Sequence, residues 1–251
     1  MSGGDPRASR VWASAMITRE LLGTAQVPGG EELRLFRHGR DFMIVLGHNE
    51  LMSTRMRGSE EALATMTLER LAAPAPHLLI GGYGMGFTLR AALVAHPEAR
   101  VTVAELVPEV VEWARGPMAE LTAGCLDDPR VTLRMGDVAA EIDDAADGTS
   151  ERYDAILLDV DNGPDGLVRA QNGRLYSFAG LRAAKAALAP GGVLAVWSAA
   201  RDPAFTRRLE KAGFAVEEVE IRARPNNKGP RHLIWLARAG RHLASSSASL
   251  G

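Results

Sequence analysis

The chain has 251 residues, enough for one large domain or for a domain with a small appendage. Apolar residues make up 46% and charged residues 24%, and a formal charge of −2 gives no electrostatic case for nucleic acid or a membrane surface. Cys125 is the only cysteine, which excludes an intrachain disulfide and a thiolate metal cluster, and six histidines without an H-x-x-x-H pair argue against zinc.

In chain order, the first ten residues, with Gly3, Gly4 and Pro6, read as a loose arm without the basic start and apolar run of a secretory signal. No stretch reaches transmembrane length, so a cytoplasmic setting is expected. From Glu20 to Met56 short β-like pieces alternate with turns. Leu21 to Val27, Glu32 to Arg37, Phe42 to Leu46 and Leu51 to Arg55 form an antiparallel meander too small for a core of its own. Ser59 is the expected N-cap of a helix running to about Leu71, with Glu60 and Glu61 in its first turn where the helix dipole favours acids. The prolines at 74 and 76 mark a domain boundary.

Beyond them strands and helices alternate. Strands are expected at His77 to Ile80, Val101 to Leu106, Val131 to Met135, Tyr153 to Leu158 and Val193 to Trp197. Helices are expected at Phe87 to Ala95, from Pro108 through Ala114, from Ser177 to Leu188 until Pro190-Gly-Gly192 halts it, and from Asp202-Pro203 to Gly213. Ala215 to Ile221 and His232 to Leu236 read as a closing hairpin, and the tail beyond Gly240 as disordered. The alternation predicts a doubly wound, mostly parallel α/β sheet with an antiparallel edge.

Ligands of such sheets sit at the carboxyl ends of the strands. The first strand ends in Gly82, Gly84 and Gly86, where the absence of a Cβ permits a tight turn or the close approach of a ligand to the backbone. Glu105 closes the second strand 19 residues after Gly86, the place of an acid that binds a ribose diol; a solvated strand-end acid is the other reading. Asp137 follows the third strand and either accepts from an adenine amino group, with Val138 against the ring, or caps the next helix. Asp159 and Asp161 close the fourth strand, where a carboxylate can take a proton from an attacking amine, although Asp161 can equally cap a turn with Asn162 and Gly163. Tyr176 either orients a substrate or packs in the core. The scattered Trp, Phe and Met residues read as core, and Cys125, beside Asp127 and Asp128, is not expected to be a nucleophile.

A dinucleotide fingerprint requires glycine at position 87, which is Phe87. The spacing Gly82-x-Gly84-x-Gly86 resembles instead the first motif of S-adenosylmethionine-dependent transferases. Leu79 to Gly82, Thr88 to Arg90, Glu105 to Val110, Asp128 to Val131, Gly136-Asp137, Tyr153 to Asp159 and Leu188 to Gly192 together resemble the successive motifs of spermidine synthases. The resemblance spans roughly Glu20 to Ala237 and includes the N-terminal meander. It implies a class I methyltransferase-type, Rossmann-like fold and an aminopropyl donor, decarboxylated S-adenosylmethionine. By position it implies that Glu105, with Leu106 next to it, holds the ribose, Asp137 the adenine, and that Asp159 is the base.

Three departures fall on the acceptor side. The family's loop reads G-G-G-D-G-G, and no acid stands between Gly81 and Gly86. Its second strand-end acid lies three residues after the first, whereas Asp161 lies two after Asp159, and its tyrosine before P-G-G falls on Leu181. The expectation is therefore a β-strand domain with connecting helix over 1–72, a nucleoside-binding domain over 73–240 and a tail over 241–251. The enzyme is expected to be a transferase using S-adenosylmethionine or its decarboxylated form, methyl transfer to a small-molecule acceptor being the leading reaction. Aminopropyl transfer with an altered acceptor pocket and a non-catalytic nucleoside-binding protein are the alternatives. No metal, nucleic acid or membrane partner is expected, and a homodimer is allowed.

Overall fold

A computed structural model describes residues 19–160, 164 and 170–240. The N-terminal arm, the tail over 241–251, Asp161 and its turn partners Asn162 and Gly163 lie outside the described residues.

The first four strands, β1 (Glu20–Gln26), β2 (Glu32–His38), β3 (Asp41–Leu46) and β4 (Asn49–Ser53), pair consecutively as the antiparallel meander that the turn residues predict. Its register sets Ala25 opposite Leu33 and Leu35 opposite Ile44, and all four are buried. They join one apolar core with Leu63, Phe87 and Trp113 of the helices that follow. A strand pair alone buries too little to be stable in water, and this sheet gains its second layer by lying on the α/β portion. At Gly23 the approach is so close that a Cβ would meet the indole Nε1 of Trp113 at 2.5 Å.

The α/β portion begins with helix α1 (Gly58–Leu68) and strand β5 (His77–Gly81). It continues through α2 (Phe87–Ala95), β6 (Arg100–Glu105), α3 (Pro108–Arg115), the single turn α4 (Ala119–Thr122), β7 (Val131–Met135), α5 (Val138–Ala146) and β8 (Tyr153–Leu158). Helix α6 (Phe178–Ala187), β9 (Leu188–Ser198), α7 (Pro203–Lys211), β10 (Phe214–Arg222) and β11 (Arg231–Ala239) complete it. The seven strands lie in the order β10-β11-β9-β8-β5-β6-β7, with β5 to β9 parallel and the last two antiparallel. Both faces are covered, as a parallel sheet requires. Leu78 and Ile80 of β5 enter the core shared with the meander, while Leu79 enters a second core with Phe205 and Trp235.

Local chemistry explains most boundaries. Asp202 accepts hydrogen bonds from the backbone N–H of Ala204 at 2.8 Å and Phe205 at 3.0 Å, with Pro203 in the first turn of α7. Ser177 accepts from Gly180 N–H at 3.1 Å and starts α6. Two expectations need correction. Ser59 does not cap α1, because the helix begins at Gly58 and ends at Leu68, short of Leu71. Helix α6 stops at Ala187, before Pro190-Gly-Gly192, because Leu188 already pairs with Tyr153 as the first residue of β9. Among the described residues no helix is long and apolar enough to cross a membrane.

Candidate active site

The strand order reverses at β5, with β6 on one side and β8 on the other, and this switch point opens a crevice at the carboxyl ends of those strands. A cavity of about 920 Å³, part of it open to solvent, lies there. The meander closes it from above with Val27, Leu33, Ile44, Leu51 and Met52. Gly82, Gly84, Glu105, Leu106, Gly136, Asp137, Val138 and Asp159 line the opposite side. Seven of the ten residues singled out in the sequence thus converge on one space, with Gly136 beside Asp137.

Gly82 and Gly84 have φ of +84° and +55°, a region that disfavours side chains. A Cβ on Gly82 would meet the carbonyl oxygen of Asp159 at 2.7 Å, so this glycine lets β5 and β8 end side by side. Gly86 is not part of the lining. It precedes α2, and a Cβ there would strike the Tyr83 hydroxyl at 2.6 Å. Its role in this structure is the turn.

Glu105 is 6% exposed and is held from two sides. Tyr83 N–H donates to one carboxylate oxygen at 2.9 Å and Val107 N–H to the other at 2.8 Å. Burial pushes its carboxyl pKa up, against the opposing pull of the backbone N–H groups of Val107, Tyr83, Leu106 and Gly84. A carboxylate has about four acceptor positions, so the pinned group retains capacity for ligand hydroxyls. Asp137 caps α5, accepting from Ala139 N–H at 2.9 Å, and also lines the cavity. The two readings of this residue are compatible.

Asp159 lies at the cavity wall with Thr88 Oγ1 3.3 Å from its carboxylate. Desolvation dominates over the Thr88 hydrogen bond and pushes its pKa up to about 6. Tyr176 lies in the core, one of the two readings its position allows. It is 2% exposed, stacks edge-to-face on Phe205 at 5.7 Å in the second core, and is not in the cavity lining. Cys125 is buried, and burial raises its pKa more than Asp127 does.

The lining also contains residues that sequence reasoning passed over. Glu60, assigned only a dipole role, is 6% exposed and faces the cavity from α1. Asn172 and Trp197 line it too, as does Met52, although Trp and Met residues read as core. Trp197 Nε1 donates to Ser59 Oγ at 3.0 Å, which leaves that hydroxyl to donate to His232 Nδ1 at 2.8 Å. Burial lowers the His232 pKa, which suits an accepting neutral ring. This chain of bonds fixes the start of α1 against β9 and β11. The four acids Glu60, Glu105, Asp137 and Asp159 line the cavity, and among the described residues no lysine, arginine or histidine joins them. Among the described residues no acids or histidines converge as metal ligands.

No family model matches the chain. It is 35% identical over 118 residues to a polyamine aminopropyltransferase of Korarchaeum cryptofilum, covering 47% of this chain and 35% of that one. It is 30% identical over 197 residues to that of Mycobacterium tuberculosis, covering 76% and 36%. Against the Sulfolobus acidocaldarius protein of that name it is 32% identical over 146 residues, covering 58% and 45%. The chain thus spans between about a third and a half of the length of these curated relatives. Among solved structures, spermidine synthase from Thermotoga maritima superposes with a TM-score of 0.67 at 19% identity, covering 88% of this chain and 73% of that one. A spermidine synthase bound to the transition-state analogue AdoDATO gives 0.66 at 20%, with the same coverage. The fold is that of spermidine synthases, and the resemblance read from the motifs is borne out. These relatives carry the name of aminopropyltransferases, which overturns methyl transfer as the leading reading.

Proposed function

We propose that the chain is an aminopropyltransferase-type enzyme that takes its donor group from decarboxylated S-adenosylmethionine and delivers it to an amine of the polyamine class. The observation that carries this reading is the cavity wall of four carboxylates with no basic side chain among the described residues that line it. Such a wall favours a cationic sulfonium and an ammonium, and it repels the pyrophosphate of a dinucleotide and the carboxylate of S-adenosylmethionine itself. The kinship with named aminopropyltransferases supports the same choice.

In this reading Glu105 accepts from the ribose hydroxyls, and Asp137 accepts from the adenine amino group while Val138 and Leu106 pack against the ring. The bound donor supplies a sulfonium whose adjacent carbon is open to displacement. An acceptor nitrogen forms the new C–N bond as the C–S bond breaks, and the bonding pair leaves on sulfur, giving a neutral thioether nucleoside. The nitrogen must lose one proton to carry the free pair, and Asp159 is the group placed to receive it. Alignment of the two reactants in the cavity contributes the rest. A cytoplasmic setting and a homodimer remain part of this proposal.

Thermal denaturation with and without ligand tests the donor class. Micromolar binding corresponds to about −8 kcal/mol, and decarboxylated S-adenosylmethionine at 100 times its Kd is expected to stabilise the fold by about 2.7 kcal/mol. Nicotinamide dinucleotide is expected to leave the melting temperature unchanged. Stabilisation by the dinucleotide alone contradicts the reading.

A further inference from the structure

The glycine loop carries no acid between Gly81 and Gly86, and Met85, within it, is fully buried. The negative charge facing Asp159 comes from another element. Glu60 stands in the first turn of α1, 6% exposed, in the lining of the cavity. Its carboxylate has no hydrogen-bond or ion-pair partner among the described residues, and the charges that act on it are two further acids, Asp159 and Glu61. A buried carboxylate aimed into a cavity with only acids near it is costly to keep, unless a cation completes it.

The Thr88 hydroxyl ties the arrangement together. It lies 3.4 Å from the backbone carbonyl oxygen of Glu60 and 3.3 Å from Oδ2 of Asp159, joining α1, α2 and the end of β8. The neighbouring Ser59 is locked between Trp197 and His232. Glu60 is thereby positioned by its neighbours on both sides.

We propose that Glu60 and Asp159 form one subsite for a primary ammonium group, with Glu60 determining specificity for it. This rests on the aminopropyltransferase reading and deepens it. The ammonium is either that on the donor's three-carbon arm or that of the acceptor, and both present the same –NH3+ with three donors to two carboxylates. The unfavourable proximity of the acids in the empty site is the condition that the cation relieves, so the pair selects for positive charge and against the carboxylate of S-adenosylmethionine.

The test uses the full chain, its Glu60→Gln variant and, as a second uncharged variant of similar length, Glu60→Met. Calorimetry measures affinity for decarboxylated S-adenosylmethionine, S-adenosylmethionine and 5′-methylthioadenosine, and for putrescine added to the nucleoside complex. If the donor's ammonium occupies the subsite, both variants lose about 10- to 100-fold in affinity for the decarboxylated donor, while 5′-methylthioadenosine binds as before. If the acceptor's ammonium occupies it, nucleoside affinities stay unchanged and putrescine affinity falls by the same factor. Variants that keep every wild-type affinity overturn the subsite and leave the nucleoside reading standing. Failure of wild-type protein to bind 5′-methylthioadenosine overturns the aminopropyltransferase reading itself. The melting temperature of Glu60→Gln is expected to rise, because a repelling charge has been removed.

Discussion

Asp159→Asn is expected to lower turnover by about 100- to 10,000-fold, the usual loss on removing a general base. The reasoning starts from position. Asp159 follows β8 at the switch point, with Thr88 as a hydrogen-bond donor to its carboxylate and Glu60 as its charged neighbour. Asparagine keeps the shape and an acceptor for Thr88 but cannot take a proton. The pH dependence follows from the carboxyl pKa of about 6. In the free enzyme, kcat/KM should rise as pH passes through that value and the base ionises, and this limb should vanish in the variant. Stability carries the opposite sign. An acid whose folded pKa lies above its unfolded value of 3.8 favours the fold below that pH, and the advantage is lost as pH rises from there through about 6. The variant should therefore melt higher than wild type at pH 7 and no higher at pH 3, by calorimetry across that range. A folded variant with unchanged turnover removes Asp159 from the chemistry.

The second large effect is expected at Glu105. Glu105→Ala should weaken nucleoside binding by about 100- to 10,000-fold, since two hydrogen bonds to a charged group, each about 1.5–3 kcal/mol, are lost. It should also destabilise the fold. The N–H groups of Tyr83 and Val107, both in buried residues, lose their acceptor, at about 1–3 kcal/mol each. Glu105→Gln retains one carbonyl oxygen and should fall between the two in both respects. Paired measurements of melting temperature and of 5′-methylthioadenosine affinity separate the effects. A folded Glu105→Ala protein with wild-type affinity means that the carboxylate only staples the glycine loop.

The strand-end half of the cavity is legible in the sequence for a physical reason. Strand-end positions in a doubly wound sheet point into one crevice, so Glu105, Asp137 and Asp159 can be placed by register alone, before any packing is known. The glycine alternation signals the turn, although only the packing shows that Gly86 answers to the Tyr83 ring and Gly82 to the end of β8. Glu60 was misread because Glu60 and Glu61 both satisfy the dipole rule for a first turn. The signal that separates them is the stripe Glu60, Leu63, Ala64, Thr67 and Leu68, the buried face of α1, to which Glu61 does not belong. The two readings of Tyr176 could not be separated in sequence for the converse reason. Its distance along the chain from Asp159 says nothing of which core receives the ring, and Phe205, on α7, takes it. Trp197 and Met52 reach the cavity because the meander covers the sheet there, a docking that no local pattern encodes.

The central claim, aminopropyl transfer, is tested most directly by its products. The chain is incubated with decarboxylated S-adenosylmethionine, and separately with S-adenosylmethionine, in the presence of putrescine, cadaverine or spermidine, and the mixture is read by mass spectrometry. The predicted result is an aminopropylated amine and 5′-methylthioadenosine in equal amounts from the decarboxylated donor, with no transfer from S-adenosylmethionine. A methylated amine formed from S-adenosylmethionine, or no transfer from a decarboxylated donor that demonstrably binds, contradicts it.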